Sequence, residues 1–149
     1  MMEPLLGEND KLMFYKYLNK ASYYFEYGGG GSTFQASVRN NMKKIYSVES
    51  DPTWLKKVKE SITFPNIQYF YNEMDVVPDN WGNPGFYATD EQKRKYSNYM
   101  SELTMDEKTK LDLVMIDGRF RVACCLKCFN SVKDECPIIF DDFLNRTQY

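Results

Sequence analysis

Four consecutive glycines, Gly28 to Gly31, constrain this chain more than any other feature. They follow Tyr23-Tyr24-Phe25-Glu26-Tyr27, an aromatic run that reads as a buried strand. They precede Ser32-Thr33-Phe34-Gln35-Ala36-Ser37-Val38, which can start a helix. A flexible linker would carry polar residues on both sides of its glycines. Strand, glycines, helix is instead the order in which a backbone can approach a ligand while a helix N-terminus offers free N–H groups.

The alternation continues along the chain. Residues 44–49 read as a second strand. Ser50 or Asp51 can cap the next helix, Pro52 suits its first position, and that helix runs to about residue 62. Pro65 and Asn66 break the chain before a third strand at 67–71. Residues 74–88 hold Pro78, Gly82, Pro84 and Gly85 and form a long loop. The pattern Thr89-x-x-Gln92 is a capping box for a polar helix from Asp90 to about residue 103. Loop and helix together make an insertion over 74–104. Residues 111–116 are the fourth strand, and 120 to about 132 a helix with Val122, Ala123, Leu126 and Phe129 recurring at helical spacing. Residues 137–140 are the fifth strand. Residues 9–20 form a helix with Leu12, Tyr15 and Leu18 inward, so 1–20 reads as an N-terminal helical extension.

Strands alternating with helices predict an α/β fold, a mostly parallel sheet covered on both faces, in a single domain over 1–149. The length suffices for one sizeable core. Nineteen Lys and Arg against 21 Asp and Glu exclude a generic basic nucleic-acid binder. No apolar run reaches membrane-spanning length, and the N-terminus lacks the basic and apolar parts of a signal peptide. The four cysteines, Cys124, Cys125, Cys128 and Cys136, crowd into 13 residues instead of spreading as a disulfide framework would. With no histidine and no second Cys-x-x-Cys, they read as small core residues in a reducing, cytoplasmic protein. The absence of histidine also excludes a Ser–His or Cys–His pair.

In parallel sheets, ligands bind outside the carboxyl ends of the strands. The residues expected there are Glu26, Gly28 to Ser32, Glu49, Asp75, Asp117-Gly118-Arg119 and Asp141-Asp142. Glu49 follows Gly28 by 21 residues (49 − 28), against about 20 for an acid that grips a ribose diol. The ligand is therefore expected to contain ribose. Neither glycine frame completes Gly-x-Gly-x-x-Gly, since position 33 is Thr and position 34 is Phe. No lysine follows the glycines as a P-loop requires, and Glu26 would repel phosphate. A nucleoside without pyrophosphate fits better than a nicotinamide dinucleotide, which stays as an alternative.

The strings Glu26-Tyr27-Gly28-Gly29-Gly30 followed by Ser32, Ser47-Val48-Glu49, Leu113-Val114-Met115-Ile116-Asp117-Gly118 and Ile138-Ile139-Phe140-Asp141-Asp142 resemble the motifs of class I S-adenosylmethionine-dependent methyltransferases. The resemblance covers about residues 21 to 146. It implies a Rossmann-like three-layer sandwich with strand order 3-2-1-4-5. It implies that Gly28, Gly30 and Ser32 wrap the methionine and ribose of the cofactor, with Glu26 holding its amino end through the loop. It also implies Glu49 on the ribose hydroxyls, Asp75 near the adenine, and Asp117 at the methyl-transfer site; Arg119, two residues on, is a further catalytic candidate. Tyr27, Trp81, Phe86 and Tyr87 are candidates to face the sulfonium. Asp117, Asp141 and Asp142 are candidates for a Mg²⁺ site that binds a substrate diol, as in some small-molecule O-methyltransferases of this superfamily. The other reading has Asp141 or Asp142 cap the next turn, or pair with Arg119, Arg121 or Arg146. Arg119 and Arg121 are also candidates to clamp an anionic substrate.

The expected activity is methyl transfer to a small-molecule hydroxyl. The alternatives are a non-catalytic methyltransferase-like binding or assembly module and a nicotinamide oxidoreductase. The family's domain continues with an antiparallel hairpin, whereas nine residues follow Phe140 here. The resemblance thus implies a version shortened after the fifth strand, whose edge is available for pairing between copies.

Overall fold

The computed structural model describes residues 2–147; Met1, Gln148 and Tyr149 of the expected 1–149 span lie outside them. Five strands form one sheet: β1 (Tyr23–Tyr27), β2 (Lys44–Glu49), β3 (Ile67–Tyr71), β4 (Leu113–Ile116) and β5 (Ile138–Phe140). The order is β3-β2-β1-β4-β5, and every pairing is parallel. This is the Rossmann-like arrangement expected. Its centre is β1, whose Glu26 stands opposite Ser47 of β2 and Met115 of β4.

Side-chain alternation splits the core in two. Phe25, Tyr27, Tyr46, Val48, Val114 and Ile116 point to one face and Tyr24, Ile45, Leu113 and Met115 to the other. The first face is covered by α4 (Asp90–Ser97), a 3₁₀ turn at Tyr99–Glu102 and α6 (Arg121–Phe129), through Tyr96, Tyr99, Met100, Cys124 and Cys128. The second is covered by α1 (Glu8–Leu18) and α2 (Gly31–Ser37), through Phe14, Leu18 and Ala36. α3 (Pro52–Ser61) packs beside α2. Helices on both faces make the three layers.

The helix starts follow local chemistry. Asp51 accepts from the Thr53 and Trp54 amides at 2.9 and 3.0 Å, with Pro52 at the first position of α3. The Thr89–Gln92 box closes reciprocally at the start of α4. Beyond it, one long helix to residue 103 does not form. α4 ends at Ser97, and a separate helix, α5 (Met105–Lys110), starts with its own capping box, Thr104 and Glu107.

Two amphipathic readings need correction. α1 buries Phe14 and Leu18, one helical turn apart, and turns Leu12 outward. α6 buries Arg121, Cys124 and Cys128, while Leu126 and Phe129 lie exposed, Phe129 at 73%. The cysteines are the inward face because small side chains fit beneath Tyr27 and Tyr96. All four are unpaired thiols, three of them buried.

Candidate functional site

The chain leaves β1 through a turn whose geometry requires glycine at Gly28. Its φ is +92°, and a Cβ there would stand 2.7 Å from the Gly118 amide nitrogen and 2.8 Å from the Asp117 carbonyl carbon. Its own amide donates to the Val48 carbonyl at 2.9 Å, so the turn is tied to β2 one residue before Glu49. At the other end of the run, a Cβ on Gly31 would meet the backbone of Glu3 and Pro4, because the N-terminal segment lies across the start of α2. The glycine run is thus a clamped turn.

Beneath it lies a buried polar knot. The wholly buried carboxylate of Glu26 accepts hydrogen bonds from Tyr24 Oη (2.8 Å), Ser32 Oγ (2.6 Å), Ser47 Oγ (2.8 Å) and the Thr33 hydroxyl. Burial raises its pKa, and the hydroxyl donors oppose that shift. Thr33 in turn accepts from the Gly30 amide at 2.8 Å. Glu26 therefore shapes the loop from below. Ser32, expected to wrap the cofactor with Gly28 and Gly30, gives its hydroxyl hydrogen to Glu26 and so lies on the turn's inner side. Thr33 and Ser47 were not foreseen; Ser47 follows only once the β1–β2 register is known.

Glu49 closes β2 beside this turn and is 8% exposed. Its Oε1 accepts from the Ser50 and Asp51 amides at 2.7 and 2.9 Å. No protein donor reaches Oε2 among the described residues. Burial pushes its pKa from 4.5 to about 7, against the pull of the two amides. Trp54, also unforeseen, donates from Nε1 to the Gly29 carbonyl at 2.7 Å, and its ring flanks Gly30.

Asp75 turns inward on its own loop, accepting from the Tyr87 amide at 2.8 Å. The buried residue that closes β3 is Asn72. Its amide donates to the Glu49 carbonyl at 2.9 Å, its Nδ2 donates to the Gln92 carbonyl at 3.1 Å, and its Oδ1 is buried with no partner. The loop after it doubles back through a Val76–Pro84 bridge, with left-handed residues at Asp79, Trp81 and Gly82. It arches over β2: a Cβ on Gly82 would lie 3.5 Å from Glu49 Oε1. Of the four aromatic candidates, Tyr27 is buried and bonded to the Ser97 carbonyl, so it does not face the site. Trp81, Phe86 and Tyr87 are exposed.

Asp117, Asp141 and Asp142 do converge, but on a cation the chain already supplies. Arg121 donates to Asp117 Oδ1 at 2.9 Å and to Asp141 Oδ2 at 3.0 Å, and stands 3.5 Å from Asp142 Oδ2. Arg146 takes Asp142 at 2.9 Å. Burial, then the Asp141 charge, raises the Asp117 pKa to about 8, with Arg121 opposing. Among the described residues, no group of three or more His, Cys, Asp or Glu is arranged for a metal ion. The donor set does not fit Mg²⁺, because a guanidinium occupies the place of the ion. The ion-pair reading of these acids is the correct one.

Arg119 differs from Arg121. Its amide lies 3.3 Å from Tyr96 Oη and its Nη1 donates to Asn83 Oδ1 at 2.7 Å. It precedes Phe120, which is left-handed (φ 52°) and starts α6.

A crystal structure of a methyltransferase-like protein from Silicibacter pomeroyi matches this fold with a TM-score of 0.68 and 26% identity, over 89% of this chain and 69% of that one. No family model and no curated protein matches the chain. The fold is methyltransferase-like.

Proposed function

We propose that this chain binds S-adenosylmethionine and transfers its methyl group to a hydroxyl of a small molecule. The observation that carries the reading is the state of Glu49. One carboxylate oxygen is fixed by two backbone amides, and the other has no protein donor, beside a clamped glycine turn at the carboxyl edge of β1 and β2. That is an acceptor prepared for a diol. The unpartnered Oδ1 of buried Asn72, at the end of the neighbouring strand, can accept from an exocyclic amine such as that of adenine. Asn72 replaces Asp75 in that expected role. The methyltransferase-like neighbour supports the same direction.

When bound, S-adenosylmethionine supplies an electrophilic methyl group on a sulfonium. The chain's part is to position and to exclude water. Gly28 and Gly30 let the backbone approach the nucleoside, Glu26 holds that turn from below, and Glu49 grips the sugar. Asp117 and Arg119 stand at the end of β4, where the acceptor would lie. Placing a nucleophile in line with the methyl group supplies much of the barrier reduction. The four free cysteines suit a reducing compartment, and we place the protein in the cytoplasm. Among the described residues no helix is long and apolar enough to cross a membrane.

Calorimetry with S-adenosylhomocysteine tests the reading. Binding to the wild type, lost on Glu49→Ala, supports it. Absence of binding, or equal binding by a folded Glu49→Ala variant, overturns it. NAD(H) in the same cell tests the nicotinamide alternative.

A further inference from the structure

Two arginines follow β4, and the structure treats them differently. Arg121 is 5% exposed and its charge is met by Asp117, Asp141 and Asp142. Arg119 is half-buried, and among the described residues no carboxylate forms an ion pair with it. Its one side-chain acceptor is the neutral amide oxygen of Asn83. Its Nε is shut off from water and has no hydrogen-bond partner. A buried unmet donor on a charged group is costly, the more so where low dielectric magnifies the charge. Burial, then the nearby Arg121, lowers the Arg119 pKa, with the Asp117 charge opposing at longer range.

The surroundings hold the guanidinium in place. Phe120 takes a left-handed conformation directly after it, an unfavourable choice for a large side chain. The Tyr96 hydroxyl sits against its amide, and Asn83 reaches it from the loop over Glu49. Trp81, Phe86 and Tyr87, on that same loop, expose aromatic surface.

We propose that Arg119 is the recognition group for a carboxylate or phosphate on the methyl acceptor, which is therefore an organic anion with an apolar body. Nη1 is taken by Asn83 and Nε is enclosed, so Nη2, which has no protein acceptor among the described residues, is the donor such a group can reach, drawn there by the guanidinium charge. This inference rests on the methyltransferase reading for the word acceptor, but its chemistry can be tested without it. A second source of a carboxylate exists, the amino-acid end of the cofactor itself, and the experiment separates the two.

Wild type, Arg119→Gln and Arg119→Lys are titrated calorimetrically with benzoate and with inorganic phosphate, in the presence and absence of S-adenosylhomocysteine. The same proteins are titrated with S-adenosylhomocysteine and with 5′-methylthioadenosine, which lacks the amino-acid end. Melting curves confirm folding. The expected result is binding of at least one anion by the wild type, weakened at least tenfold in Arg119→Gln and partly restored in Arg119→Lys. Nucleoside affinities should stay within about threefold in all of them. Binding of neither anion by the wild type, or equal binding by Arg119→Gln, overturns the proposal. So does a tenfold loss of S-adenosylhomocysteine affinity in Arg119→Gln with methylthioadenosine unaffected, which would give the guanidinium to the cofactor. Arg119-dependent anion binding by a wild type that ignores both nucleosides would sustain the anion site and overturn the methyltransferase reading alone.

Discussion

Arg119 Nη1 and Asn83 Oδ1, 2.7 Å apart, join the turn after β4 to the tip of the loop that arches over Glu49. That loop covers Glu49, so on the proposed reading it borders the cofactor site. The loop's other supports are the Val76–Pro84 bridge, the Asp75–Tyr87 bond, turns at left-handed residues and one longer contact from outside, Ser50 Oγ donating to the Gly82 carbonyl at 3.5 Å. Asn83→Ala removes the cross-link together with the bonds from Asn83 Nδ2 to the Asn80 carbonyl and Oδ1, and leaves the Val76–Pro84 bridge and the Asp75–Tyr87 bond intact. A hydrogen bond to a charged donor contributes about 1.5–3 kcal/mol. Loop opening should therefore become roughly tenfold more frequent or better, while global stability changes little. Hydrogen exchange across residues 76–86 checks this, and unchanged exchange would show that the bond does not hold the loop.

The carboxylate cluster at the ends of β4 and β5 makes Arg121 a structural cation. Arg121→Gln leaves Asp117 and Asp141 facing each other in a buried setting. Removing one member of such a network costs roughly 3–5 kcal/mol. The loss should depend on pH with a definite sign. Asp117 already holds its proton more tightly when folded, because burial and the Asp141 charge raise its pKa, and losing the guanidinium that opposes them strengthens that tendency. The folded variant then binds more protons than the unfolded chain, so its stability rises as pH falls. The deficit should be largest near pH 8 and smaller near pH 5, read by thermal melts. Added Mg²⁺ should not stabilise the wild type.

The strand-end logic was legible because parallel strands buried on both faces read as apolar or aromatic runs, and acids stand out at their ends. β1, β2 and β3 form where that pattern puts them, and Gly28 and Glu49 meet as their spacing implies. What a single strand cannot reveal is its neighbour's side chains. Arg121 sits two residues past Arg119 in sequence, yet one is enclosed by acids from β4 and β5 and the other is not. That difference arises from the fold of Asp141 back onto α6. Cys124 and Cys128 outrank Leu126 and Phe129 as core residues for a similar reason, since Tyr27 and Tyr96 already fill the space. The Thr104-x-x-Glu107 box was visible and would have split the helix expected to end near residue 103.

Glu49 is held at a cost that the functional reading explains. Its pKa rises from 4.5 to about 7 in the folded chain because burial disfavours the charge. A folded value above the unfolded one means that this group's contribution is favourable at low pH and declines between about 4.5 and 7. A glutamine in its place would be neutral throughout, and its amide oxygen could still accept from the Ser50 and Asp51 amides. Glu49→Gln should match the wild type near pH 4 and exceed it near pH 8, by up to about 3 kcal/mol. It should also bind S-adenosylhomocysteine more weakly. Gained stability with lost affinity is the trade expected of a binding carboxylate; gained stability with affinity intact would mean that the ribose lies elsewhere.

Two glycines of the same run should respond oppositely to one methyl group. At position 28 the added Cβ meets the Gly118 and Asp117 backbone, which cannot swing aside, and the left-handed φ adds strain. Gly28→Ala should cost at least about 3 kcal/mol, enough to unfold a marginal domain. At position 30 the backbone is extended, and the nearest atoms to an added Cβ are in the Trp54 ring, at 3.5 Å, an ordinary contact. Gly30→Ala should melt within about 0.5 kcal/mol of the wild type. Any loss of S-adenosylhomocysteine affinity in Gly30→Ala then reports on the ligand-facing side of the turn, free of a folding defect. A tenfold loss is expected if the cofactor lies against that backbone. Wild-type affinity in Gly30→Ala would move the nucleoside off the glycine turn and leave Glu49 without its neighbour in the site.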